Sequence, residues 1–329
     1  MRNKIDRRVF VGAAAGAALA APVIARAAAP DTSAIERALQ KFSALPGEIG
    51  FMLRVGAPGT PWETGRQQTV PLFVGSAVKT FILAAFLEAV ENGRLDETAQ
   101  LLVDDSVRSI SSPVLASLTG TTTAKSVLEA MICHSDDTAT DIALKALGVA
   151  AVREFIARAG LATAKIPTST RVLVSYLAGA PAGVDVGWDG MQKIMGGENF
   201  GTPRGPMNDS ETMQCSAADL VSHYERILAG AFLKTGKMQT EFRRISSMAD
   251  ALWEVVPANT PAYGKGGSIQ WQDFNAFALA GQMLVGGPVP VTFSFAINWT
   301  GGASTQAAVF EPFGAAIRDA LAATAKAFG

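Results

Sequence analysis

The chain has 329 residues, of which 49% are hydrophobic and 17% charged, with 32 glycines; a disordered chain, a collagen and a mini-protein needing staples are excluded by that balance. Lys plus Arg number 28 against 29 Asp plus Glu, so there is no general basic surface of the kind that binds nucleic acid. Only two histidines and two cysteines occur, which leaves few of the usual general bases and no zinc cage at the usual spacings.

The first residues read as an address. Arg2, Lys4, Arg7 and Arg8 precede an apolar run over 9–21 and then Ala25-Arg26-Ala27, the order of a cleavable signal peptide. Arg7-Arg8 followed by Val9-Phe10-Val11 resembles a twin-arginine signal. The expectation is an export signal at 1–27, with the mature protein periplasmic or secreted and without a stable membrane anchor. Cleavage after Ala27 removes five Lys/Arg and one Asp and leaves 23 basic against 28 acidic residues, a mildly acidic mature chain.

A short apolar-rich run at 49–55 and a second extended run at 68–74 predict two early strands. From Ser76 the period changes: Phe81, Ile82, Ala85, Phe86, Ala89 and Val90 recur at helical spacing up to Asn92-Gly93, a C-terminal stop. Helices are predicted at 123–133, 138–147, 150–159 and 217–229 by the same spacing. The stretch 180–208 carries so many Gly and Pro residues that it reads as one long loop, a lid or binding loop in kind. Three strands follow at 268–271, 274–285 and 291–299, and an amphipathic helix at 307–328. The fold class expected is α/β in the α+β sense. N- and C-terminal strands, within 28–75 and 262–329, make one antiparallel sheet flanked by helices, and 76–261 makes an all-helical lobe.

Ser76-Ala77-Val78-Lys79 opens the first long helix. Positions three apart share a helix face, so the Ser76 hydroxyl and the Lys79 amine can meet. Apolar neighbours would lower the amine's pKa. Ser135-Asp136-Asp137 lies between two predicted helices, and Lys265-Gly266-Gly267-Ser268 opens the late strands. In this order the three sites resemble the Ser-x-x-Lys, Ser-Asp-Asn and Lys-Thr-Gly triplet of serine β-lactamases and penicillin-binding proteins. The stretch 131–140 is similar to the second-motif segment of class A β-lactamases, and the order strands, helical lobe, strands is also theirs.

The resemblance implies Ser76 as the acylated nucleophile, Lys79 as its base, Ser135 as a proton shuttle to the leaving atom and Lys265 as the holder of a substrate carboxylate. It implies an oxyanion hole from the amides of Ser76 and Ser268, with Asp137, Gly267 and Ser268 touching the substrate. Trp271, just beyond the third motif, is the expected aromatic wall of the cleft. No cofactor and no metal is implied; the expected partner is a small amide or ester substrate, and the protein is expected to be a monomer.

Four positions depart from the pattern. Asp137 stands where the family usually has Asn, and an ionised carboxylate accepts hydrogen bonds but donates none. Gly266 replaces the hydroxyl residue of the third motif. The stretch 166–171, which corresponds to the class A segment carrying the deacylating Glu, contains no acid, and the interval to Lys265 is longer than in class A. Asp185, Asp189, Glu198, Asp209 and Glu211 are replacement acids to test, and Lys79 serving both half-reactions is the other route. The expected activity is therefore an exported serine acyl hydrolase, with β-lactam hydrolysis in the lead. An esterase, a D-alanyl-D-alanine-type peptidase and a non-turnover acyl sensor remain open. His134 and His223 are expected to lie outside the mechanism, and Cys133 and Cys215 to be buried free thiols.

Overall fold

The computed structural model describes residues 30–56 and 62–329, and the export signal expected at 1–27 lies outside the described residues. In chain order the elements are α1 (Ser33–Ser43), β1 (Glu48–Val55), β2 (Trp62–Arg66), β3 (Leu72–Phe73), α2 (Lys79–Glu91), β4 (Gln100–Val103), β5 (Gly120–Thr123), α3 (Ala124–Cys133), α4 (Asp137–Leu147) and α5 (Val149–Arg158). They continue with α6 (Thr170–Leu177), α7 (Gly187–Met195), β6 (Gln214–Cys215), α8 (Ala217–Leu228), α9 (Gly236–Ser246), β7 (Ala262–Trp271), β8 (Phe274–Val285), β9 (Val289–Thr300) and α10 (Ser304–Phe328).

Five strands form one antiparallel sheet in the order β2-β1-β9-β8-β7, so the N- and C-terminal strands do share a sheet. On one face lie α1 and α10. The spacing of Ile35, Ala38, Leu39 and Phe42 turns one side of α1 inward, and the Phe42 ring meets those of Phe51, Phe295 and Phe313 at centroid distances of 5.7, 5.1 and 5.7 Å. That cluster ties two strands to two helices by apolar burial. Among the described residues, no helix is long and apolar enough to cross a membrane.

Helix α2 is buried almost all round, from Lys79 through Leu87, as a continuous apolar helix at the centre of the molecule must be. Its N-terminal end enters from β3, which is only two residues long. The expected strand at 68–74 shrinks to Leu72–Phe73 because its partner, β6, offers only Gln214 and Cys215. Asn298 of the central strand completes the join: its Oδ1 accepts from Phe73 N at 2.8 Å and its Nδ2 donates to Phe73 O at 2.9 Å.

The stretch 180–208 is not one structureless loop. It contains α7, whose buried Met191 and Ile194 pack with Ala178. Arg204 fastens the rest, donating to Tyr176 O and Ala180 O at 2.7 Å each and lying over the Tyr176 ring. The glycines hid a helix whose stability comes from this tertiary packing rather than from propensity. α1, α6 and α9 and the strands β2, β4 and β5 were likewise not predicted, and β7 begins at Ala262 rather than at 268, so Lys265 sits inside the strand.

Candidate active site

Ser76 lies in a single 3₁₀ turn, Gly75–Val78, that feeds directly into α2. Gly75 has φ +52°, and a Cβ there would meet Ser268 N and Ser268 O at 2.9 Å. Only glycine accepts both the left-handed backbone and this approach. The turn therefore lies against strand β7, and the amides of Ser76 and Ser268 are neighbours.

One helical turn further on, Lys79 is fully buried. Its Nζ donates to Ser135 O at 2.6 Å, to Ser135 Oγ at 3.3 Å and to Asp137 Oδ1 at 2.7 Å, three acceptors for the three donors of an ammonium. The first two motifs, far apart in sequence, thus meet at one nitrogen.

The turn between α3 and α4 is built to deliver these acceptors. Asp136, fully buried, caps α4 by accepting from Ala139 N at 2.8 Å, and its other oxygen accepts from Val114 N and Leu115 N at 2.8 Å each. The N-cap preference of Asp explains the helix start, and the second pair of bonds pins the 111–115 loop beside it. Ser135 carries φ +59°, backbone strain of the kind that persists only where surrounding contacts enforce it. Asp137 opens α4, with its amide donating to Ser111 O at 3.2 Å.

The cleft that results has a volume of about 500 Å³ and is lined by Ser76, Ser111, Ser112, Pro113, His134, Ser135, Asp137 and Ser268. Ser111, Ser112 and Pro113 were missed by sequence reasoning; their only signal was a polar Ser-rich break between apolar runs. His134, expected to lie outside the mechanism, lines the cleft and has Nδ1 3.8 Å from Asp250 Oδ2. Burial raises the Asp137 carboxyl above the ordinary carboxylate range, with the Lys79 charge opposing.

Lys265 is buried on β7 and donates to Gly266 O at 3.0 Å. Burial, reinforced by the Lys79 charge, lowers its pKa to about 7. Gly266, where the family pattern has a hydroxyl residue, faces Ala251: a Cβ there would lie 2.6 Å from the Ala251 Cβ. The missing hydroxyl is thus a packing consequence of the turn that precedes β7. Lys265, Gly267 and Ser268 also border a second pocket of about 420 Å³ that runs past Phe277, Phe310 and Phe313.

Trp271 is not a wall of this cleft. It stands at the far end of β7 and packs against the Ala178, Met191 and Ile194 cluster beside α7, because the strand carries it away from Ser76. None of the five replacement acids lines the cleft either. Asp185 pairs with Arg171, its Oδ1 accepting from Nη2 at 2.9 Å. Glu211 accepts from Thr168 N at 2.7 Å and Thr168 Oγ1 at 2.9 Å, and Asp209 pairs with Lys165 at 3.2 Å. Asp189 lies in the first turn of α7, and Glu198 is exposed just beyond that helix.

His223 is enclosed by Phe81, Phe155, Tyr224 and Phe242, with Nε2 3.1 Å from Thr80 Oγ1. Burial lowers its pKa to about 3, which makes it a neutral core side chain. Cys215 is buried and Cys133, contrary to expectation, is only partly buried; both are unpaired. Among the described residues no group of His, Cys, Asp and Glu side chains could hold a metal ion.

The family model described as "Beta-lactamase enzyme family" matches residues 32–269. No curated protein matches the chain. Among solved structures, a β-lactamase from Sphaerobacter thermophilus DSM 20745 is 17% identical, with a TM-score of 0.68 over 91% of this chain and 98% of that one. An ancestral (GNCA) class A β-lactamase is 16% identical, with a TM-score of 0.68 over 90% and 100%. A mutant of PBP-A, solved as an acyl-enzyme complex with penicillin G, is 17% identical, with a TM-score of 0.66 over 90% and 98%.

Proposed function

Because the chain belongs to the beta-lactamase enzyme family, we propose that it is a serine hydrolase that works through a Ser76 acyl-enzyme, with β-lactams as the leading substrates. The observation that carries this reading is the buried Lys79, one helical turn from Ser76 and bonded to Ser135 and Asp137.

In this mechanism Lys79 Nζ first yields a proton to Asp137 Oδ1, 2.7 Å away, and the amine so freed takes the Ser76 Oγ proton as that oxygen attacks the carbonyl carbon. The amides of Ser76 and Ser268 hold the oxygen of the tetrahedral intermediate, a term worth about 3 kcal/mol per donor. The C–N bond of the lactam then breaks, and the leaving nitrogen takes a proton by way of Ser135, whose hydroxyl is 3.3 Å from Lys79 Nζ. Lys265, cationic below its lowered pKa, attracts a substrate carboxylate. Water finally cleaves the acyl ester, restoring Ser76 and releasing the acid.

Deacylation is the slow half. With no acid at 166–171 and none of the loop acids in the cleft, activation of that water falls to the Lys79–Asp137 pair, already engaged with each other. A long-lived acyl-enzyme is therefore favoured over fast turnover, in keeping with the acyl-enzyme described for a relative of the same fold. Residues 1–27 are proposed as a twin-arginine export signal, and replacing Arg7 and Arg8 by Lys should keep the protein in the cytoplasm.

Intact-protein mass spectrometry after mixing with penicillin G and, separately, with a chromogenic ester tests the reading. A covalent adduct that is absent in Ser76→Ala is expected, decaying slowly for the lactam. Absence of any adduct or turnover with both acyl donors would overturn it, and adduct with the ester alone would reassign the protein as an esterase.

A further inference from the structure

The second motif of this chain ends in a carboxylate, and its two oxygens have different surroundings. Asp137 Oδ1 is taken by Lys79 Nζ at 2.7 Å. Oδ2 has no hydrogen-bond partner among the described residues, the side chain is 18% exposed, and Asp137 lines the same cleft as Ser76 and Ser268. One oxygen of a cleft-lining carboxylate is thus left to accept a hydrogen bond from a bound ligand.

We infer that this cleft selects acyl donors carrying a free amino group on the carbon beside the scissile carbonyl, and discriminates against those whose amine is acylated. The inference rests on the Ser76 acyl-enzyme reading above. A free amine brings N–H donors to Asp137 Oδ2. An acylated amine keeps a single N–H and adds a carbonyl oxygen; where that oxygen faces Oδ2, two acceptors meet with no proton between them and the carboxylate loses water without compensation. An Asn side chain in the same position would reverse the preference, because its amide can donate to that carbonyl.

Recognition here is a matching of donor to acceptor rather than of net charge. The positive charge of the Lys79 side chain is held at the other Asp137 oxygen, 2.7 Å away, so the cleft offers little uncompensated negative charge to a cation. A neutral amine fits this balance. Asp137 thereby both holds Lys79 and sets specificity, which separates its two roles by oxygen atom.

The test compares two probes with the same scissile bond, 6-aminopenicillanic acid and penicillin G, which differ in acylation of the amine. Second-order acylation rates are read by intact-protein mass spectrometry for the full chain and for Asp137→Asn, an isosteric change. Any general loss from weakening the Lys79 contact affects both probes and cancels in the ratio. The ratio of 6-aminopenicillanic acid to penicillin G is expected to fall by about tenfold or more in Asp137→Asn, the size of effect produced when a polar contact in a site is mispaired. An unchanged ratio, with both probes still forming adducts, would overturn the specificity inference alone. No adduct with either probe in the unmodified protein, with the chromogenic ester also inert, would overturn the acyl-enzyme reading and this inference with it.

Discussion

Gly267 and Ser76 are in backbone contact: a Cβ placed on Gly267 would lie 2.7 Å from the Ser76 amide nitrogen and would overlap the Val74 carbonyl oxygen. Strand and nucleophile turn can close on each other only because this position has no side chain. Gly267→Ala is expected to lower the acylation rate by about 100-fold or more, the effect of losing one oxyanion donor. It should also cost about 1–3 kcal/mol of stability as the backbones part. Acylation kinetics with a thermal melt check this; an alanine variant that acylates at the unmodified rate would show that the contact does not hold the oxyanion donors.

Lys265 gives a pH signature. Its pKa is lowered to about 7 by burial and by the Lys79 charge, so its attraction for a substrate carboxylate fades as pH rises through 7. For penicillin G, kcat/KM of acylation should fall above that pH, whereas a neutral ester should lack this limb, since kcat/KM reports the free enzyme's groups. Parallel pH profiles for the two substrates would remove Lys265 from carboxylate binding.

Stability should carry a second signature from Asp141. This buried carboxyl accepts from Thr170 N at 2.6 Å and Arg171 N at 3.1 Å, yet burial raises its pKa from 3.8 to about 7. Between those values the folded state binds more protons than the unfolded state, so stability falls with rising pH and levels off above 7. The limit is about 1.4 kcal/mol per pH unit. Urea unfolding from pH 4.5 to 8 is expected to show this slope, with Asp141→Asn losing it.

Asp136 predicts a structural failure rather than a chemical one. Its carboxylate satisfies three backbone amides, those of Ala139, Val114 and Leu115. Asp136→Ala leaves these donors unpaired in a buried place and should cost about 3 kcal/mol or more. Because two of them belong to the 111–115 loop, acylation should slow as well, even in the folded fraction. A variant with unchanged urea midpoint would mean that solvent replaces the carboxylate.

The long apolar runs were legible. The strands at 274–285 and 291–299, helix α2 and the helices α3, α4, α5 and α8 each bury a stripe or a full surface, and burial leaves a periodic mark in sequence. Helix α7 was not legible, because Gly187 and Gly190 argue against a helix while the packing of Met191 and Ile194 that decides for it lies elsewhere in the fold. Trp271 was misread for a related reason: nearness to Lys265 in sequence becomes distance along an extended strand.

At the site, chemistry and position divide in the same way. The residue types in the three short motifs, the absence of an acid at 166–171 and the carboxylate at Asp137 are properties of the chain alone, since covalent identity sets what each group can donate or accept. That Lys79 meets Ser135 and Asp137 on one nitrogen, that Gly266 is required by Ala251, that Ser111 to Pro113 form a wall, and that no acid of 180–211 reaches the cleft were decided only by tertiary structure. Those facts depend on contacts between residues tens to hundreds of positions apart, which the packing of β7 on the Ser76 turn and of α3 and α4 on α2 creates and which no local pattern encodes.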